Sequence, residues 1–197
     1  MAGDPAFARL VSLACHDLRT PLATVNGFAR TLARMDDLRD PLPRYLGMMA
    51  TAAEQMNELL DALGLVARIE GERWEQAPAE TDTLAIARAA AGQVALAPVS
   101  VSGTGAPVHL DAEAAERAVA SFARCAIRHG GLEEAALRVE GPELRLTPVT
   151  PEAAPILIGD SLRDLGAAIA LRVVDALGGS AELDGEALLV RLPVSSD

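Results

Sequence analysis

The chain has 197 residues, which is enough to bury a hydrophobic core and to form one or two domains. Hydrophobic residues make up 50% of it and aromatic residues only 3%, and much of the apolar content is alanine, which favours helix. The net charge of −11 argues against a nucleic-acid partner, because a phosphate backbone attracts basic surfaces.

No apolar run reaches the roughly 18 residues that a membrane-spanning helix needs. The N-terminus, MAGDPAFARL, lacks the basic start and apolar core of a signal peptide. The two cysteines, Cys15 and Cys125, are far apart and show no metal-ligand spacing. These features predict a cytoplasmic protein with reduced thiols, no membrane segment and no metal site.

The first segment carries a heptad pattern, which is typical of a helix that packs against other helices. Its apolar positions are Phe7, Val11, Ala14, Leu18, Pro21, Val25, Phe28, Leu32 and Met35. The stretch MDDLRDPLP ends the pattern with acids and prolines, as a loop between helices does. A second pattern follows at Leu42, Leu46, Met49, Ala53, Met56, Leu60 and Leu63. Together they predict a helical hairpin.

Each apolar seam is too narrow to be hidden inside a single hairpin. The sequence therefore predicts that two chains associate through these helices to form a four-helix bundle. The alternative is a hairpin that packs only on the C-terminal half of its own chain.

The character of the sequence changes after IEGERWEQAPAE, so we place the domain boundary between residues 72 and 73. Predicted helices are DTLAIARAAAGQVA, DAEAAERAVASFARCAIRHGG and SLRDLGAAIALRVVDALGG, the second with Asp111 as its N-cap and a glycine at its end. Predicted strands are PVSVSG, APVHL, AALRVEG, ELRLTPV and ALLVRLPV, with a hairpin turn at Gly141-Pro142. Helices mixed with antiparallel strands indicate a two-layer α/β sandwich, so the chain as a whole belongs to the α+β class.

The stretch ACHDLRTPLATV places several reactive groups on the first helix. His16 falls at heptad position f, the position furthest from the seam. Asp17 can orient one imidazole nitrogen and leave the other free as a nucleophile. Thr20 lies one turn later on much the same face, and Pro21 should bend the helix just beyond the histidine. A reactive, exposed imidazole is one interpretation, and an ordinary surface or core histidine is the other.

The motif HDLRTPL, residues 16–22, resembles the H-box of sensor histidine kinases at every position. The resemblance implies that the hairpin is a dimerisation and histidine-phosphotransfer domain. His16 would be the phosphorylated residue, and Asp17 the acid that assists phosphoryl transfer. Thr20 would occupy the position linked in that family to dephosphorylation of the response regulator.

The remaining residues resemble the ATP-binding domain of these kinases, so the resemblance covers nearly the whole chain. DAEAAERAVASFARCAIRHGG is similar to the N-box helix, and DLGAAIALRVVDALGGSAELDGEALLVRLP to the final glycine box with its helix and strand. Arg128 matches the basic N-box position and Asp111 the acid before that helix. Both can also be read as plain surface and cap residues.

The nucleotide-binding residues of the family are poorly represented. Cys125 stands at the position of the asparagine that holds Mg²⁺, and a soft thiol suits that hard cation badly. In the adenine-reading box, Pro151 replaces the aspartate, and Ala153 and Pro155 replace glycines. A proline cannot accept the hydrogen bond of the adenine amino group, and the lost glycines prevent a close approach of the backbone.

The phosphate-binding part departs from the family as well. Gly166 is kept, but Asp164 stands where a glycine would face phosphate, and its carboxylate would repel that phosphate. About ten residues separate Ile156 from Gly166, too few for the usual ATP lid.

Taken with the resemblance, these residues predict a two-component signalling protein. It would be a homodimer and would exchange a phosphoryl group between His16 and an aspartate of a response-regulator receiver domain. ATP-dependent autokinase activity would be weak or lost, and we assign no cofactor, with ATP and Mg²⁺ left open. The alternatives are an active ATP-dependent histidine kinase with a divergent pocket and a non-catalytic dimeric scaffold that binds receiver domains.

Overall fold

The computed structural model describes residues 5–34 and 42–194. The chain divides into two compact units, one ending at Trp74 and the other starting at Glu75. The first unit contains α1 (Pro5–Ala33) and α2 (Leu42–Glu70). The second contains β1 (Ala79–Asp82), α3 (Thr83–Gly92), β2 (Val99–Gly105), β3 (Pro107–Leu110), α4 (Ala112–Gly130), β4 (Ala135–Gly141), β5 (Glu143–Thr147), α5 (Ala154–Leu157), α6 (Leu165–Ala176), β6 (Ser180–Asp184) and β7 (Ala187–Arg191).

The helices of the first unit form an antiparallel hairpin. Two ion pairs fix the direction, because Arg19 pairs with Asp61 and Arg30, further along α1, pairs with the earlier Glu54. The buried residues of the contact are mostly small: Cys15, Leu22, Ala29, Leu46, Ala53 and Ala67. Small side chains let the two helices approach closely along their length.

The seam predicted for α1 does not form this contact. Leu18, Val25 and Leu32 are between 42% and 56% exposed in the single chain. The row that faces α2 is instead Cys15, Leu22 and Ala29, which the predicted heptad did not include. This apolar stripe stays exposed in the single chain, as expected for a seam that one hairpin cannot bury. Of the other predicted positions, Met35 and the side chains of Phe7, Ala14 and Pro21 lie outside the described part of the chain.

The seam predicted for α2 splits between two faces. Leu46 and Ala53 are buried against α1, whereas Leu42, Met49 and Met56 are about half exposed. The exposed row of each helix lies three residues after its buried row. Since the helices are antiparallel, this equal offset brings both exposed rows to the same face of the hairpin. We call this surface, with Leu18, Val25, Phe28, Leu32, Met49 and Met56 as its main residues, the apolar face.

The second unit is built around a five-stranded sheet with the strand order β2-β4-β5-β7-β6. Strand β2 runs parallel to β4, and the other neighbours are antiparallel. Alternate residues of the central strands are buried, as expected for a sheet covered by helices on one face. Helix α4 packs between α3 and α6 in that helical layer. These observations confirm an α+β chain in which a helical hairpin precedes a mixed α/β unit.

Several predicted element ends are confirmed by their caps. Asp82 accepts hydrogen bonds from the first backbone amides of α3, and Asp111 does the same for α4. Helix α4 ends at Gly131, whose positive φ of 62° is the left-handed conformation that glycine adopts without strain. The turn at Gly141, with φ 59°, joins β4 and β5 as predicted.

Other elements differ from the prediction. Helix α6 begins at Leu165 rather than at Ser161, because Asp164 is its N-cap and ends the preceding loop. The short elements β1, α5 and β6 were not predicted. No helix in residues 5–34 or 42–194 combines the length and apolar character needed to cross a membrane.

Candidate functional site

The predicted phosphoacceptor lies on the surface of the hairpin. His16 is exposed on α1, next to Cys15, which is buried in the contact with α2. This one-residue offset aims the imidazole away from the helix contact while the helix beneath it is held by packing. A shallow depression beside the imidazole is lined by His16, Arg19, Thr20, Ala23 and Thr24.

Arg19 connects this surface to the second helix. Its Nη2 donates to Asp61 Oδ1 at 2.6 Å, and both side chains are about half exposed. An exposed ion pair of this kind contributes little stability, but it fixes where the guanidinium points. Arg19 therefore supplies a positioned positive charge one turn from His16.

Two threonines complete the depression. Thr20 is exposed one turn after His16, so the predicted pair does share one face of α1. Thr24 Oγ1 donates to the Thr20 backbone carbonyl at 3.2 Å, and the exposed Thr20 side chain lines the depression beside His16. A hydroxyl in this place can bind a water or a phosphoryl oxygen.

The other two motif residues are only partly described. The side chain of Asp17 lies outside the described part of the chain, so its assisting role stays a prediction. Helix α1 runs through Pro21 from residue 5 to residue 33. The bend expected at Pro21 also stays a prediction.

A second cluster of polar groups lies in the C-terminal unit, at the start of α6. The Asp164 carboxylate caps this helix, since Oδ1 accepts from the Ala167 N–H at 3.0 Å. Its other oxygen, Oδ2, lies 3.2 Å from Arg128 Nη1 and 3.2 Å from His129 Nε2. The side chain of Asp164 is only 6% exposed, so burial and three partners hold this carboxylate in place.

Cys125 lies beside the carboxylate, one helical turn before His129. It is completely buried, and this burial, with the negative charge of Asp164, raises the pKa of its thiol to about 12. The Cys125 sulfur and the ligand atoms of His129 and Asp164 all lie within 4.8 Å of one another. Cys125, His129 and Asp164 are called the C-H-D cluster below.

These residues do not fit a magnesium-nucleotide complex. Mg²⁺ takes oxygen ligands, whereas Cys125 offers sulfur and His129 offers nitrogen. The helix N-terminus and Arg128, groups that can bind phosphate, already have the Asp164 carboxylate as their partner. A nucleotide phosphate would have to displace that carboxylate against like-charge repulsion.

Sequence reasoning missed the C-H-D cluster and predicted no metal site. Part of the signal was visible, because Cys125 and His129 are four residues apart on a predicted helix and therefore share one face. The third member, Asp164, follows 35 residues after His129, and only the packing of α4 against α6 brings it to them. Because Asp164 is so far from Cys125 and His129 in the sequence, no local motif predicted the three-residue cluster.

Comparison with known proteins agrees with the hairpin and the motif. Residues 8–72 match the His Kinase A (phospho-acceptor) domain. Over 86 residues the chain is 29% identical to a probable sensor histidine kinase, TcrY, of Mycobacterium tuberculosis. That match covers 43% of this chain and 18% of the relative.

Solved structures share the fold at low sequence identity. Full-length ShkA, crystallised in complex with AMPPNP, has a TM-score of 0.65 and 19% identity, over 95% of this chain and 47% of that one. The Acinetobacter baumannii histidine kinase AdeS has a TM-score of 0.54 and 16% identity, over 92% of this chain and 98% of that one. The ATP-binding domain of PrrB from Mycobacterium tuberculosis has a TM-score of 0.51 and 21% identity, over 61% of this chain and 99% of that one.

The chain thus contains a His Kinase A (phospho-acceptor) domain at residues 8–72, and over 86 residues it is similar to a probable sensor histidine kinase. It spans less than half the length of TcrY and of ShkA.

Proposed function

We propose that this protein takes part in two-component signalling in the cytoplasm by exchanging a phosphoryl group between His16 and an aspartate of a response-regulator receiver domain. The observation that carries the proposal is the exposed imidazole of His16 inside a phospho-acceptor domain. An aspartyl phosphate on a docked partner can reach it without opening the hairpin.

The transfer is a displacement at phosphorus. A neutral imidazole nitrogen attacks, the N–P bond forms, and the bond from phosphorus to the aspartate oxygen breaks. The aspartate leaves as a carboxylate with the electron pair, and a proton is released from the imidazole. Asp17 would assist this step and Arg19 would face the phosphoryl oxygens.

The receiver supplies the metal ion in this scheme, so the transfer needs no Mg²⁺ site on this chain. That matters because the C-H-D cluster does not suit Mg²⁺ and the start of α6 already has a carboxylate bound. Phosphoryl transfer from ATP is for this reason not part of the proposed reaction.

The phosphotransfer experiment uses the full chain and a receiver domain phosphorylated with a radioactive phosphoryl group. The wild-type protein should gain a label that is lost in acid and kept in base, as a phosphoramidate behaves. His16→Ala should abolish the label. His109→Ala is the matched control, because His109 is an exposed histidine of the second unit and its loss should leave the label unchanged.

Two other functions remain to be separated from this one. An active ATP-dependent kinase would bind ATP with Mg²⁺ tightly, so a dissociation constant in the low micromolar range by calorimetry would favour it. A non-catalytic scaffold would keep its signalling activity when His16 is replaced by alanine.

The single substitution Cys125→Asn should not create ATP binding. Asp164 and Pro151 would still stand in place of the family's nucleotide-binding residues.

We also infer that the functional form is a homodimer whose contact is the apolar face. Leu18, Phe28 and Met56 are 56%, 66% and 47% exposed in the single chain, and they belong to one continuous surface. A second copy presents the same surface and can cover it through a two-fold axis. His16 remains accessible in such a dimer, because it lies away from this face at the outward heptad position.

A further inference from the structure

We propose that Cys125, His129 and Asp164 form a zinc-binding site in the C-terminal unit. These residues are distinct from those proposed for phosphotransfer at His16. The zinc site is also different from a magnesium-nucleotide pocket, whose ligands would be oxygens.

The chemistry of the ligands points to zinc. Cysteine sulfur, histidine nitrogen and aspartate oxygen are all zinc ligands, and a soft sulfur with an imidazole disfavours Mg²⁺ and Ca²⁺. Zinc holds such atoms at about 2.0–2.3 Å, which places ligand atoms roughly 3.3–3.6 Å apart in a tetrahedron. The distance of 3.2 Å between His129 Nε2 and Asp164 Oδ2 is close to this separation, and the ligand atoms of all three residues lie within the somewhat wider limit of 4.8 Å of one another.

The secondary structure around the cluster places all three ligands. Cys125 and His129 are one turn apart on the same face of α4, a helix of 19 residues. The Asp164 carboxylate is oriented by the Ala167 N–H, which binds Oδ1 and leaves Oδ2 directed at the histidine. The ligand atoms must approach one another by at most about 1.5 Å to close the ligand set.

The charges balance when a zinc ion is bound. Binding breaks the S–H bond of Cys125 and forms a zinc–sulfur bond, and the proton goes to solvent. A thiolate and a carboxylate together carry two negative charges, which the dication neutralises. Arg128, whose side chain is 58% exposed, can keep its hydrogen bond to the carboxylate or swing into solvent.

The fourth coordination position faces outward. The side chain of His129 is 24% exposed, whereas Cys125 and Asp164 are buried, so water reaches the site from the histidine side. Three protein ligands and one water are typical of a zinc ion that binds a further ligand rather than of a closed structural site.

The test titrates the metal-free full chain with Co²⁺, which takes the place of zinc and reports its ligands by absorption. We expect one Co²⁺ per chain, with the visible bands of tetrahedral cobalt and a thiolate-to-cobalt charge-transfer band in the near ultraviolet. Zn²⁺ should remove both and raise the melting temperature. Cys125→Ala should abolish the charge-transfer band. The chain has only two cysteines, so Cys15→Ala is the matched control and should leave the band unchanged.

Asp164→Asn provides a second variant in case Cys125→Ala does not fold. Asparagine caps a helix as well as aspartate does, so α6 should be preserved, as circular dichroism can verify. Co²⁺ affinity should nevertheless fall at least about 10-fold, because a charged ligand is lost. The proposal is overturned if the wild type shows no charge-transfer band, if Cys15→Ala removes it, or if Asp164→Asn binds Co²⁺ unchanged.

Discussion

Among single residues of the C-terminal unit, Thr83 shows how one buried hydroxyl joins three chain segments. It is fully buried, donates from Oγ1 to the Gly141 carbonyl at 2.6 Å, and accepts from the Ala106 N–H at 2.9 Å. The hydroxyl therefore ties the start of α3 to the β4–β5 turn and to the segment between β2 and β3. Without the Thr83 hydroxyl, the Gly141 carbonyl and the Ala106 N–H would each lose this hydrogen bond.

We expect Thr83→Ala to destabilise the protein by about 1–3 kcal/mol, because it removes two hydrogen bonds of a buried hydroxyl and leaves a part-buried donor and acceptor without this partner. Thr83→Ser is the control, since it keeps the hydroxyl and removes only a methyl group. Urea denaturation followed by circular dichroism measures both. Equal midpoints for wild type and Thr83→Ala would show that these hydrogen bonds contribute nothing to stability.

The sequence predicted the surroundings of a residue well where they are formed by its neighbours in the chain. His16 could be identified because its neighbours form a continuous motif and its heptad position predicts exposure, and the structure places it on the surface. The partners of Thr83 and the approach of Asp164 to Cys125 could not be predicted, since both depend on contacts between segments distant in sequence.

At the scale of elements, helix ends and helix faces differ in how well the sequence determines them. Asp111 predicted where α4 begins, because capping is a local interaction. The heptad pattern of α1 marked the row that stays exposed in the single chain but not the row that contacts α2, since alanine and cysteine at a helix contact resemble surface residues in a hydropathy pattern. Leu22 is the largest buried residue of that row.

The close contact between the two helices gives a direct test of this packing. Ala53 is 0% exposed, so Ala53→Leu should overpack the hairpin and destabilise it by about 1–3 kcal/mol. Thr51 is exposed on the far side of α2, and Thr51→Leu should leave thermal stability nearly unchanged. A similar melting temperature for both variants would contradict the arrangement of α2 against α1.

At the scale of the whole molecule, the dimer contact proposed for the apolar face predicts the state of association. Light scattering at micromolar concentration should return twice the chain mass of 20.5 kDa. Leu18→Lys should return the mass of one chain while helicity is retained, because Leu18 is exposed in the hairpin and only the dimer would bury the charge. Thr51→Lys, at an exposed polar position of α2, should remain dimeric. A wild-type mass of one chain would exclude the dimer.

The most direct test of the role proposed for His16 is to locate the phosphoryl group on the chain. The wild-type protein is incubated with a phosphorylated receiver domain, digested under mildly basic conditions, and analysed by mass spectrometry with a fragmentation method that preserves phosphoramidates. We expect the modification on the peptide that contains His16, on the imidazole itself. A phosphoryl group found only on another residue, or on none while the receiver remains phosphorylated, would contradict the proposed function.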